Sequence, residues 1–274
     1  HNARSIAALA ANPGCARRAV MDAAGVDMRK VAEHLGHPTP FGRSVFAIER
    51  ARRFRRTVTD DGGAHLLRLL RERLGLSLPE VGRAALADVG GDESPHVRYA
   101  RTRNEIRRAA EDRDGTRTLL DRPLLRLTMA GYRVHLEPDV IACRAGGRFH
   151  VVTIKNFAII DGQADSDRVS AAAREAAVHV HALRELCTEL GLDPLRVSHE
   201  VLLVCPENFT DVPTGALLDV RRQLDVLDRQ LARLTRIDRI LDELPPGLSL
   251  DLRPVDGVPT RPPGELAAAV AAIA

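Results

Sequence analysis

Between Leu124 and Phe157 the apolar residues stop recurring every three or four positions and fall into short extended runs, whereas helical stripes occupy the chain on both sides. That change of period requires an α/β (α+β) chain in which strands are flanked by helices. Leu125, Leu127, Tyr132, Val134, Leu136, Val140 and Ile141 are separated by Gly131, Pro138 and Gly146-Gly147, which predicts a three-stranded meander. Gly146-Gly147 suits a hairpin turn joining Asp139–Cys143 to Phe149–Asn156.

The flanking stripes are helical. Asn12 to Leu35 reads as a helix that stops at Gly36-His37-Pro38-Thr39-Pro40, because proline cannot continue it and restricts the residue before it. From Ser44, the residues Ala47, Ala51, Phe54 and Val58 recur at helical spacing and leave Arg52, Arg53, Arg55 and Arg56 on another face. A second helix, Ala64–Leu74, is ended by Gly75. After the meander, Val169, Ala173, Ala176, Val180, Leu183, Cys187 and Leu190 step by alternating fours and threes up to Gly191. Val201-Leu202-Leu203-Val204-Cys205 then reads as a buried strand bounded by Pro206. The stripe Leu217, Val220, Leu224, Leu227, Leu231, Leu234 predicts one long helix over 211–244, able to pack on the core or on a second copy or protein partner. Pro245-Pro246 ends it, and a proline-rich tail leads to a short helix, Glu265–Ile273. The expected organisation is an N-terminal helical segment, 1–43, then a core, 44–205, with a helical insertion at about 76–118, and a C-terminal segment, 206–274.

Composition narrows the function. No uncharged run approaches the length of a membrane span. Aromatic residues are 3% of the chain and Trp is absent, which argues against a platform that stacks successive bases. The net charge is only +3, yet Arg50, Arg52, Arg53, Arg55 and Arg56 form one cluster and Arg98, Arg101, Arg103, Arg107 and Arg108 another. Such clusters track phosphate backbones or serve as solvated faces; Arg52, Arg53, Arg56, Arg101 and Arg107, together with His179 of the later helix, are the candidate nucleic-acid contacts. Cys15, Cys143, Cys187 and Cys205 form no CxxC pair and read as reduced thiols. The first residues lack a signal-peptide core, so a bacterial cytoplasm is expected.

Lys30 and Lys155 are the only lysines among 40 cationic residues. Lys155 ends the apolar run Phe149-His150-Val151-Val152-Thr153-Ile154, where arginine would serve as a surface charge, so the position reads as one that needs an ammonium or as a strand-end lysine reaching water. Glu137-Pro138-Asp139 lies one strand away, and period-2 alternation puts Thr153 and Lys155 on one face. Glu137 and Asp139 read either as site carboxylates or as the flanks of a strand-ending proline.

Asp139, Thr153-Ile154-Lys155 and the helix–strands–helix–strand order together resemble the PD-(D/E)xK nuclease superfamily, in particular its RecB-like and CRISPR-associated exonuclease branch, over roughly residues 44–205. The resemblance implies a restriction-endonuclease-like core and a metal-dependent nuclease acting on DNA, in repair or in defence against foreign DNA. Phosphodiester hydrolysis needs hard oxygen ligands for Mg²⁺ or Mn²⁺, a positioned water and positive charge near the phosphate. Asp139 and the backbone carbonyl of Ile154 are then expected to face the metal, with Lys155 orienting water. The acid expected two residues before the lysine is Thr153, and Glu175 on the next helix is the candidate replacement. Glu175 and His179 fall on the branch's Gln-x-x-x-Tyr positions, and Arg55 falls where an acid or histidine is common, with Glu49 the nearest carboxylate. Glu175 reads otherwise as a solvated charge and His179 as a core-edge histidine. Some relatives in this resemblance carry an iron–sulfur cluster on one cysteine upstream and three downstream of the core; with only Cys15 before the core and Cys205 at its end, no cluster is expected, and the Asp161/Asp165/Asp167 loop lacks the glycine and glutamate of a calcium loop. A member of this fold that has lost catalysis and binds nucleic acid or a protein is the other reading.

Overall fold

Strand alternation sorts the apolar residues of the central sheet onto two faces, and each face is covered by its own helices. The computed structural model describes residues 3–4, 6–7, 21, 26–37, 45–75, 86–111, 119–129, 132–145, 147–208, 210–234 and 263–271. In chain order the elements are α1 (Met28–His34), α2 (Val45–Thr59), α3 (Ala64–Leu74), β1 (Leu86–Asp88), α4 (Pro95–Glu111), β2 (Leu119–Asp121), β3 (Leu125–Met129), β4 (Tyr132–Leu136), β5 (Val140–Ala145), β6 (Arg148–Ile154), α5 (Ser166–Glu189), β7 (Glu200–Pro206), β8 (Pro213–Asp219), α6 (Arg221–Leu234) and α7 (Pro263–Ala271). Most of the predicted Asn12–Leu35 helix and the Pro245-Pro246 region lie outside the described residues.

Six strands form one mixed sheet in the order β1-β2-β5-β6-β7-β8. Leu119, Val140, Ala142, Val152, Leu202 and Val204 point to one side and pack on Phe54 and Val58 of α2 and on Leu66, Leu69 and Leu70 of α3. Leu120, Ile141, Cys143, Phe149, Val151 and Val201 point to the other side, against α4, α5 and α6. The link from β6 through α5 to β7 returns parallel to β6, as a helical crossover does. Alanines at 172, 173, 176 and 177 are buried along α5, where their small size lets the helix lie close to the sheet.

Three expectations change. The meander is β2–β5–β6, antiparallel throughout, whereas β3 and β4 pair with each other as a separate two-stranded ladder. Alternation in β3 and β4 records burial of Leu125, Leu127, Val134 and Leu136 in the α5-side core, and burial alone does not tell which sheet a strand joins. The predicted 211–244 helix begins only at Arg221, because 213–219 form β8, paired with β7 from Glu200↔Asp219 to Pro206↔Pro213. Asp219 then caps the helix, its carboxylate accepting from Arg221 N at 3.0 Å. The stripe residues Val220, Leu224 and Leu227 are buried in the chain's own core, so this part of the stripe packs intramolecularly. The helical insertion at about 76–118 also contains β1, which pairs parallel to β2.

Candidate functional site

The site forms where β6 ends and β5 begins. Asp139 directly precedes β5, and its Oδ2 accepts from Ile154 N at 2.8 Å, so the carboxylate is held against the end of β6. One residue on, Lys155 N donates to Val204 O at 2.9 Å and carries the β6–β7 pairing past the strand end. Alternation directs Lys155, like Thr153, to the α5 side, where Nζ donates to Glu175 Oε2 at 2.7 Å. Asp139, Ile154, Lys155 and Glu175 all line one cleft of about 860 Å³ between α2 and α5.

Cations dominate the lining. Arg4, Arg52, Arg55, Lys155, Arg168 and Arg174 face two carboxylates, Asp139 and Glu175. Arg4 Nε lies 3.4 Å from Glu175 Oε2. Burial raises the Glu175 carboxyl, but the charge and hydrogen bond of Lys155, with the charge of Arg4, outweigh it and hold the group below the usual carboxylate range. Burial has the stronger hand at Asp139, which is raised despite the Ile154 hydrogen bond and the charges of Lys155 and Arg55.

Arg55 is the centre of a second ion-pair group. From α2, its Nη2 donates to Asp121 Oδ1 at 2.7 Å and to Asp139 O at 3.1 Å, and its Nε lies 3.7 Å from Asp139 Oδ1. Asp121, the last residue of β2, shares the α2-facing side with Leu119. Sequence reading missed it, since three residues are too short to show a period; the signal available was an aspartate ending an apolar pair.

The remaining predicted residues are dispersed. Glu137, expected beside Asp139, pairs with Arg98 of α4 and does not line the cleft. Thr153 is 2% exposed and neutral. His179 is 5% exposed, and its Nδ1 has no hydrogen-bond partner, so the expected contact between this imidazole and nucleic acid does not match its buried position. Burial pushes His179 down to about 4 and keeps it uncharged beneath Glu175 and Lys155. Of the arginines, Arg52 lines the cleft, Arg53 lies 3.5 Å from Asp211, and Arg56 donates to Glu49 at 3.3 Å. Arg101 donates to Glu93 at 2.7 Å and Arg107 is exposed on α4. Cys143, Cys187 and Cys205 are buried free thiols. Asp165 caps α5 by accepting from Arg168 N at 2.9 Å.

The donor set does not fit a divalent cation. Asp121 Oδ1 and the backbone carbonyl of Asp139 accept from the Arg55 guanidinium, the Asp139 carboxylate accepts from Ile154 N and has Arg55 Nε 3.7 Å away, Glu175 accepts from Lys155, and Thr153 supplies no charge. Among the described residues no three His, Cys, Asp or Glu side chains are grouped to hold a metal ion. No helix among them is long and apolar enough to cross a membrane. No protein-family model, curated protein or solved structure matches this chain.

Proposed function

We propose that the chain has a nuclease-like core of the PD-(D/E)xK type and binds the phosphate backbone of DNA in the cleft between α2 and α5, without metal-dependent turnover. The reading is supported by the antiparallel β2–β5–β6 meander, the helix after it and the parallel β7, in the order helix, meander, helix, strand of the resemblance, with β1, α4 and the β3–β4 ladder as additions. The observation that carries the binding reading is the excess of cations in the cleft: six line it against two carboxylates, and each carboxylate already interacts with cations from within the chain. A cleft of one sign with low-dielectric walls concentrates an oppositely charged ligand, and phosphate is the anion of regular spacing that a groove of arginines tracks. A bacterial cytoplasm and a role in repair or defence belong to the same proposal.

A hydrolytic reading, with Mg²⁺ or Mn²⁺ as cofactor, is favoured by the convergence of Asp139, Lys155 and Glu175 on one cleft. Cleavage of labelled single- and double-stranded DNA with and without Mn²⁺ separates the two. Binding in EDTA with no cleavage in Mn²⁺ supports the first reading; cleavage lost in Asp139→Asn supports the second.

A further inference from the structure

The Arg55 group stands apart from the surface cations of the cleft. Its guanidinium meets oxygens from two strand-linked positions: Asp121 Oδ1 at 2.7 Å, Asp139 O at 3.1 Å and, through Nε, Asp139 Oδ1 at 3.7 Å. All three side chains are part-buried, at 24%, 12% and 28% exposure, and Asp139 O also accepts from Arg122 N at 3.0 Å. Arg122 has a left-handed backbone, φ 47°, so the turn after β2 is bent to make that contact. Carboxylate and carbonyl oxygens converging from separate strands are the donor chemistry that a hard divalent ion takes. Here the position beside them holds a planar cation that keeps its charge at any working pH and donates through a fixed fork.

The geometry points to Arg55 as a resident cation that occupies the place of a divalent ion between Asp121 and Asp139. Resting on the nuclease-like reading of the cleft, the assignment goes further by naming the residue that blocks the metal. Lys155 plays the corresponding part for Glu175 on the α5 side. Removing the guanidinium takes the cation nearest to Asp121 Oδ1 and the Asp139 carbonyl and leaves Arg122 Nε 3.7 Å from Asp121 Oδ2 and the charge of Lys155 on Asp139, an oxygen set that a divalent cation can further neutralise.

The test is Mn²⁺ binding by the full chain without nucleic acid, read from the electron paramagnetic resonance signal of free Mn²⁺ and from the melting temperature. Wild type is expected to leave both unchanged. Arg55→Gln is expected to take up Mn²⁺ and to melt at higher temperature as Mn²⁺ is raised, by mass action on the folded state. Arg55→Gln/Asp139→Asn is expected to lose both responses, and Arg55→Lys to behave as wild type. Mn²⁺ uptake by wild type that Asp139→Asn abolishes overturns the assignment, and so does a folded Arg55→Gln that ignores Mn²⁺. If Arg55→Gln folds only when Mn²⁺ is present, the assignment stands; if it folds with neither Mn²⁺ nor Mg²⁺, the arginine is structural and the assignment fails. DNA binding measured in parallel in EDTA reports on the cleft separately: its absence defeats the binding reading and leaves the metal result intact.

Discussion

Lys155 Nζ and Glu175 Oε2 lie 2.7 Å apart, and this part-buried pair ties the end of β6 to α5. Its placement explains why a lysine stands here in an arginine-biased chain: a compact ammonium on a flexible stem reaches the carboxylate from a strand end where a planar fork needs more width. Lys155→Met leaves Glu175 part-buried with Arg4 Nε 3.4 Å away as its remaining ion-pair partner among the described residues, and a loss of about 1–3 kcal/mol is expected in urea denaturation. Lys155→Met/Glu175→Gln removes both charges and is expected to recover most of that loss. Equal losses in the single and double variants contradict the pairing.

His179 sets a pH dependence of known sign. Its pKa is about 4 in the folded chain against 6.5 for the free side chain, so the unfolded chain binds the extra proton first as pH falls. The stability that neutral His179 contributes is complete above pH 6.5 and is lost as pH falls towards 4, a term on the order of 3 kcal/mol. His179→Leu is expected to flatten the stability curve in that window. An unchanged slope contradicts the buried neutral assignment.

A second histidine acts in the opposite direction. His181 Nδ1 lies 2.8 Å from Asp228 Oδ1 of α6 and its Nε2 lies 3.4 Å from Glu185 Oε1 of α5. Burial lowers its pKa, but the hydrogen bonds and charges of Glu185 and Asp228 outweigh burial and raise it above 6.5. Its contribution is therefore complete below pH 6.5 and is lost as pH rises through the raised value. Faster amide hydrogen exchange in α6 on the alkaline side, absent in His181→Gln, is the expected observation.

Phe54 is 1% exposed and fixes α2, and with it Arg52 and Arg55, on the sheet. Phe54→Ala is expected to cost about 3–5 kcal/mol by calorimetry or urea denaturation. A cost under about 1 kcal/mol would show that α2 is not docked as described.

Much of the fold is legible where an element carries its own period and its own stop. The α3 helix ends at Gly75, whose φ of 61° suits glycine, and α5 ends beside Gly191 at φ 71°, as their stripes predict. The expected hairpin is met by β5 and β6, which pair antiparallel with Gly147 between them at φ 79°. Pairing partners were not. β2 has three residues, β3 and β4 alternate as well as any sheet strand, and Leu217 fits both the helical stripe that follows it and the strand that contains it. At the site, Lys155 stands out by residue type, whereas Asp139 and Glu175 were singled out through the resemblance; the structure brings the three to one cleft because the hairpin and the next helix connect them over short separations. Asp121 and Arg55 were not readable as a pair, since they meet across 66 positions of sequence and neither spacing nor composition records that contact.

The most direct test of the account is the salt dependence of DNA binding in EDTA, for wild type and for Arg52→Ala and Arg174→Ala. The account predicts that affinity falls linearly on a log–log plot and that each variant lowers the slope by about 1, with no cleavage when Mn²⁺ is added. Affinity indifferent to salt, or Mn²⁺-dependent cutting that Asp139→Asn abolishes, contradicts a cleft whose carboxylates are held by Arg55 and Lys155.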